Sequence, residues 1–227
     1  MRILAVDTAL GLCSALVMDT ATDHIIARES VPMDRGHAEA LMPLIERLMT
    51  NVPEGFSSLS RIATTVGPGS FTGLRVGLSA ARAMALATSL PVVGITTLSA
   101  FAAPFLAADN TRNVASVIDA RHQHVYLQIS GDHGRIIVPP CIIPLVEAEA
   151  LVLSAEARIV GSAASLFANL AETSQSKLIC EPDQAGPDCE WVARLAAFAN
   201  PEDARPIPLY LRPPDAVPQQ NGRIALQ

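Results

Sequence analysis

The sequence predicts an α/β fold of two related halves, each a mixed sheet carrying helices, and three observations lead there. Apolar runs of strand length alternate with longer helical stripes along most of the chain. The layout strand, aspartate, turn, strand, aspartate occurs twice at nearly equal spacing, once over residues 4–19 and again over 114–132. An apolar run at 62–66 leads through Gly67-Pro68-Gly69-Ser70-Phe71-Thr72-Gly73-Leu74-Arg75 into an Ala-rich helix at 76–88. Only 4% of the residues are aromatic, which favours helix–sheet packing over an aromatic-rich sandwich. The polar stretch Ala108-Asp109-Asn110-Thr111-Arg112-Asn113 separates the halves, expected at 1–108 and 109–215. Residues 216–227 are expected to be a flexible tail.

The elements follow in order. Residues 3–6 form a short buried strand ending at Asp7, 13–18 a second ending at Asp19, and 25–31 a third, giving a meander. Leu41, Leu44, Ile45, Leu48 and Met49 make a helical stripe over 38–49, with Pro43 expected to perturb its first turns. Next come the strand at 62–66, the Gly-rich turn and its helix, a strand at 92–95 and a helix at 98–107. In the second half, strands are expected at 114–118 and 125–129, then a strand at 158–160 running into a helix at 163–171. A strand at 177–180 and a helix at 191–199 follow. Pro201, Pro206, Pro208, Pro213, Pro214 and Pro218 then predict an extended segment over the surface, fraying beyond Asp215.

The totals narrow the function classes. The chain of 227 residues has a net charge of −6, which argues against binding nucleic acid alone through a broad basic face. Cys13, Cys141, Cys180 and Cys189 have no CxxC spacing, so buried reduced thiols are expected rather than a zinc site, which suits the cytosol. The opening run reaches Asp7 too soon for a secretory leader, and Arg75 and Arg82 interrupt the best apolar stretch. A cytoplasmic protein with no membrane partner is the expectation.

Several residues are candidates for chemistry. Asp7 either faces a metal-bound phosphate or caps its own turn. Gly67, Gly69 and Ser70 either cradle a phosphate at a helix N-terminus or make a tight packing turn, and no GK[ST] follows them. Gly73, Gly77, Ala81 and Ala85 are spaced by four and form one bare ridge that a second helix can approach closely. The helix at 38–49 is expected to supply part of its cover and a partner subunit the rest, a protein–protein interface being the leading expectation. His37 opens the first helix, but the position four residues on is Leu41, so no helical metal pair forms and an interface role fits better. No nucleophile–base arrangement stands out, and no catalytic residue is assigned.

The combination of Leu4-Ala5-Val6-Asp7-Thr8, Cys13-Ser14, Gly36-His37-Ala38-Glu39-Ala40-Leu41-Met42-Pro43, the 67–75 block and Pro91-Val92-Val93-Gly94-Ile95 resembles the TsaB (YeaZ) family. Asp119-Ala120-Arg121 and Leu209-Tyr210-Leu211-Arg212-Pro213 match its pattern too. The resemblance is strong over residues 1–130 and thin beyond. It implies an actin-like, sugar-kinase-like (ASKHA) two-lobed fold with a degenerate second lobe. It also implies a part in making N6-threonylcarbamoyladenosine at position 37 of tRNAs reading ANN codons. The role implied is a non-catalytic partner that binds and activates a TsaD-like catalytic subunit and helps recruit the ATPase TsaE, meeting tRNA only through the complex. A homodimer is implied where TsaD is absent. The implied interface lies on the two helices of the first half, at His37, Leu41, Leu44, Phe71, Gly73, Gly77, Ala81 and Ala85. No cofactor is assigned, ATP or ADP near that interface being the one candidate. The rival reading is an autonomous ASKHA-type ATPase or small-molecule kinase using Asp7 and the Gly-rich turn.

Overall fold

The computed structural model describes residues 1–173 and 178–212. Strands β1 (Arg2–Asp7), β2 (Leu12–Asp19) and β3 (His24–Pro32) form the expected antiparallel meander. In β1, Leu4 and Val6 face one way and Ile3 and Ala5 the other, and all four are fully buried. Side chains alternate along a strand, so this sheet is covered on both faces. Helix α1 (His37–Met49) lays Leu41, Leu44, Ile45 and Leu48 on the Leu4 face. Pro43 removes one backbone bond, yet the helix continues through it.

Strand β4 (Arg61–Gly67) runs parallel to β1, and β5 (Val92–Thr96) parallel to β4, giving the order β3-β2-β1-β4-β5. Between them, helix α2 (Phe71–Thr88) begins earlier than the expected residue 76 because Ser70 caps it, its Oγ accepting the Gly73 N–H at 3.3 Å. Helix α3 (Thr97–Ala108) is capped by Thr96, whose Oγ1 accepts the Ser99 N–H at 3.0 Å. It is a shared wall. Ala100 packs into the first sheet, whereas Leu98, Phe101 and Ala102 pack against the second.

The second sheet comprises β6 (Val114–Asp119), β7 (His124–Ser130), β8 (Ile136–Pro144) and β9 (Arg158–Gly161) in the order β8-β7-β6-β9, with only the β6–β9 pair parallel. Helix α4 (Leu145–Ser154) covers its outer face through Ala148 and Val152. The run β1-β2-β3-α1-β4 thus recurs as β6-β7-β8-α4-β9, and the internal repeat is real. Strand β8 and α4 were not foreseen. Pro139 and Pro140 break the strand pattern, and they are tolerated because β8 is an edge strand whose missing N–H groups need no partner.

After β9 the halves diverge. The helix expected at 163–171 is a 3-10 turn (Ala164–Phe167) followed by α5 (Ala168–Thr173). The strand expected at 177–180 reduces to one bridge between Cys180 and Ile159, and Lys177 lies outside the described residues. Helix α6 (Cys189–Phe198) belongs to the span expected to form the smaller lobe, yet it packs on the first sheet. Its Val192, Ala193 and Ala196 meet Ile3, Ala5, Leu16, Met18, Ala63 and Val93. The chain then runs extended along the first sheet, with Gly94 N–H donating to Ala204 O at 2.8 Å and Leu209 N–H to Val66 O at 2.7 Å. The expected tail, with Pro213, Pro214 and Pro218, lies outside the described residues. Cys13 and Cys189 are buried free thiols, while Cys141 and Cys180 are half-buried. No helix of the described residues is long and apolar enough to cross a membrane.

Candidate functional site

The turn after β1 and the turn after β4 fold into each other. Asp7 is fully buried, and its Oδ1 accepts Thr65 Oγ1–H at 2.6 Å and Ala9 N–H at 3.2 Å, while Oδ2 has no partner among the described residues. Loss of hydration pushes its pKa up from 3.8 to about 6, against the opposing pull of those two hydrogen bonds. Ser70 N–H donates to Ala9 O at 2.7 Å, and a Cβ on Gly69 would lie 2.4 Å from that same oxygen. Gly67 takes a φ of +106°, which favours glycine, and packs against Leu74 and the Leu209 carbonyl. All four positions expected near a nucleotide, Asp7, Gly67, Gly69 and Ser70, therefore touch the chain's own atoms. Gly69 admits the Ala9 backbone, and Gly67 admits Leu74 and the Leu209 carbonyl.

The bare ridge points inward, contrary to expectation. A Cβ on Gly73 would lie 2.1 Å from Thr8 O, and one on Gly77 2.6 Å from Thr8 Oγ1. Thr8 Oγ1 donates to Gly73 O at 2.7 Å, so the first turn of α2 is stitched to β1's end. Ala81 and Ala85 continue the row into the core beneath α1. Leu41 and Leu44 are likewise about 1% exposed and hold α1 to the sheet. His37 is buried, with Nε2 donating to Leu10 O at 3.1 Å, so it fixes the entry of α1 to the β1–β2 turn. Of the expected interface set, Phe71 alone stands out into solvent, at 43% exposed.

A different row faces outward. Phe71, Arg75, Ser79 and Ala83 share the spacing of four, and with Thr72, Val76 and Ala80 they form one wall of an open groove. Ala38, Leu41 and Met42 of α1 form the other, with Met42 49% exposed. At the Phe71 end, the Arg75 guanidinium carbon lies 3.7 Å from the Phe71 ring centroid. Tyr210 packs on the same ring at 5.4 Å between centroids and takes a hydrogen bond from Arg75 Nε at 3.3 Å. Sequence reasoning missed Met42, Val76, Ser79, Ala80 and Ala83. Arg75 was the available signal, since a charged residue four positions after Phe71 marks a row that cannot face a core.

The second half offers a contrasting turn. Asp119 occupies the place of Asp7 and likewise accepts an N–H two residues on, from Arg121 at 2.7 Å, but it is exposed. Arg121, His122 and Gln123 all hold positive φ, and Arg212 Nη1 donates to Ala120 O at 3.0 Å. A shallow cleft separates this turn from Ser70 and Thr72. No cluster of three or more His, Cys, Asp or Glu side chains able to hold a metal occurs among the described residues.

Comparison with known proteins gives this geometry a context. The family model for TsaD, tRNA N6-adenosine threonylcarbamoyltransferase, matches residues 29–168. The tRNA threonylcarbamoyladenosine biosynthesis protein TsaB of Escherichia coli K12 is 32% identical over 126 residues, and that of Haemophilus influenzae 35% over 127. Each match covers 56% of this chain, and the chain spans about half of those relatives, 53% and 52% of their lengths. An uncharacterized protein of Mycobacterium tuberculosis H37Rv is 33% identical over 223 residues, 95% of this chain and 94% of its own. The solved structure of YeaZ from Pseudomonas aeruginosa superposes with a TM-score of 0.72 at 24% identity, covering 92% of this chain and 99% of that one. A second structure, of an uncharacterized protein with similarity to peptidase YeaZ, gives 0.75 at 24% identity over 93% and 99%. These two share the fold.

Proposed function

This chain belongs to the TsaD family of tRNA threonylcarbamoyltransferases, on its TsaB (YeaZ) side, and we propose that it is a non-catalytic partner subunit in threonylcarbamoyladenosine synthesis. In this reading it binds and activates a TsaD-like catalytic subunit, helps recruit a TsaE-like ATPase, and meets tRNA only within that assembly. The observation that carries the reading is the open groove between α1 and α2, with Met42 and Phe71 exposed on its walls. Small side chains at Ser79, Ala80 and Ala83 let a helix approach closely. Its burial would remove apolar area from water at about 25 cal/mol per Å².

The rival reading, an autonomous ATPase or small-molecule kinase, needs phosphates at the α2 N-terminus and a metal near Asp7. The Thr8–Ala9 backbone takes up one side of the turn at Gly69 and Gly73, and Asp7 is fully buried and does not line the cleft beside Ser70 and Thr72. Size-exclusion chromatography with light scattering, on the chain mixed with its cognate TsaD-like protein and on each alone, tests the reading. A one-to-one complex is expected. A self-associated form of this chain that disappears as the complex forms would mean that both use the same groove. No complex at tens of micromolar, with or without ATP, would refute the assignment.

A further inference from the structure

Arg75 stands apart from the carboxylate-paired arginines of the surface. Arg28, Arg47, Arg135, Arg158 and Arg194 each pair with a carboxylate. Arg75 has no carboxylate partner among the described residues. One face of its guanidinium lies on Phe71, its Nε is held by the Tyr210 hydroxyl, and its two Nη groups bond to no described residue. Among the described residues it is also the one charged side chain lining an otherwise apolar or small-residue groove. A helix laid into that groove would take Arg75 partly out of water. A desolvated guanidinium left uncompensated weakens association, whereas one meeting an acid strengthens and orients it.

We propose that the TsaD-like partner's docking helix carries a carboxylate that pairs with Arg75, and that Tyr210 positions Arg75 to receive it. The inference rests on the reading of the groove as the partner-docking face. It gives the extended segment after α6 a role at that face, since Leu209 N–H anchors the segment to Val66 O one residue before Tyr210. The planar guanidinium, stacked on Phe71 and fixed through Nε, presents its Nη edge in one orientation, which suits a two-oxygen acceptor.

The test is calorimetric titration of the full chain with its cognate TsaD-like protein at low and at high salt, with melting temperatures measured in parallel. Arg75→Met keeps the stem and loses the charge. It is expected to weaken binding by about 10- to 100-fold and to flatten the salt dependence. Arg75→Lys should recover part of that salt dependence. Tyr210→Phe keeps the ring on Phe71 and should cost only about threefold, with the salt response retained. Arg75→Met binding with the affinity and salt response of the unsubstituted chain would overturn the inference. So would lost affinity with an unchanged salt response, because the groups facing Arg75 would then be uncharged. An unsubstituted chain that forms no complex overturns the docking reading itself, and this inference with it.

Discussion

On its inner side α2 carries Gly73, Gly77, Ala81 and Ala85 against Thr8, Thr64 and the core beneath α1, while on its outer side it carries Phe71, Arg75, Ser79 and Ala83 along an open groove. Both rows are spaced by four and both are rich in small residues. The inner row is small because backbone stands in the way: the Thr8 carbonyl lies where a Cβ of Gly73 would be. Beyond Phe71 and Arg75 the outer row is small at Ser79 and Ala83, where it lines the open groove. Smallness on one side is thus a condition of folding, and on the other it is available for association.

The largest expected effect breaks the inner row. Gly77→Leu should cost more than about 4 kcal/mol and leave little folded chain, because a bulky side chain must displace Thr8 and Thr64. Chemical denaturation measures it, and a stably folded Gly77→Leu protein would return the ridge to the surface. Next comes Asp7, the carboxylate behind that row. Below pH 3.8 both folded and unfolded states hold its proton; between 3.8 and about 6 the unfolded state releases it first; above about 6 the folded state carries the full cost of a buried charge. Its contribution to stability therefore falls as pH rises through that window, by ~3 kcal/mol in all. Asp7→Asn keeps the acceptor for Thr65 and Ala9. It should stabilise the fold at neutral pH by about 1–3 kcal/mol and flatten the pH dependence of the melting temperature. An Asn variant less stable at neutral pH would show that the charge is wanted there.

Ser70→Ala removes the cap of α2 and should cost about 1 kcal/mol in the same denaturation experiment. Smallest in stability is Ala83→Leu on the outer row, expected within about 0.5 kcal/mol of the parent fold. Its effect belongs to binding, where a loss of tenfold or more against the TsaD-like protein is expected from overpacking a close helix contact. A variant that binds unchanged would move the docking face away from this row.

Much of this was legible from residue patterns, and the exceptions have physical causes. The strands of both meanders alternate or run apolar, and β1, β2 and β6 each end at an aspartate that accepts the N–H two residues on, so the repeat could be read directly. Strand β8 could not, because Pro139 and Pro140 imitate a loop where the edge of a sheet tolerates them. The direction of the small-residue ridge was misread because spacing by four describes a row and not what faces it. Two glycines within that row were the missed hint. Alanine suffices for helix-to-helix approach, whereas glycine at both 73 and 77 admits a carbonyl and a threonine hydroxyl. Arg75 marks one wall of the groove in the sequence, but its pairing with α1 across the groove is a tertiary contact that no local pattern reveals.

Helix α6 has a consequence for the order of synthesis. The face of the first sheet formed by Ile3, Ala5, Leu16, Met18, Ala63 and Val93 is synthesised well before the helix that packs against it, which begins at Cys189. A nascent chain paused after β9 would hold part of that face bare, and such a chain is the form most exposed to aggregation and to chaperone capture. Strands β1 and β2 wait for a helix translated only after both sheets, so slow translation between β2 and α6 should lower the yield of this protein.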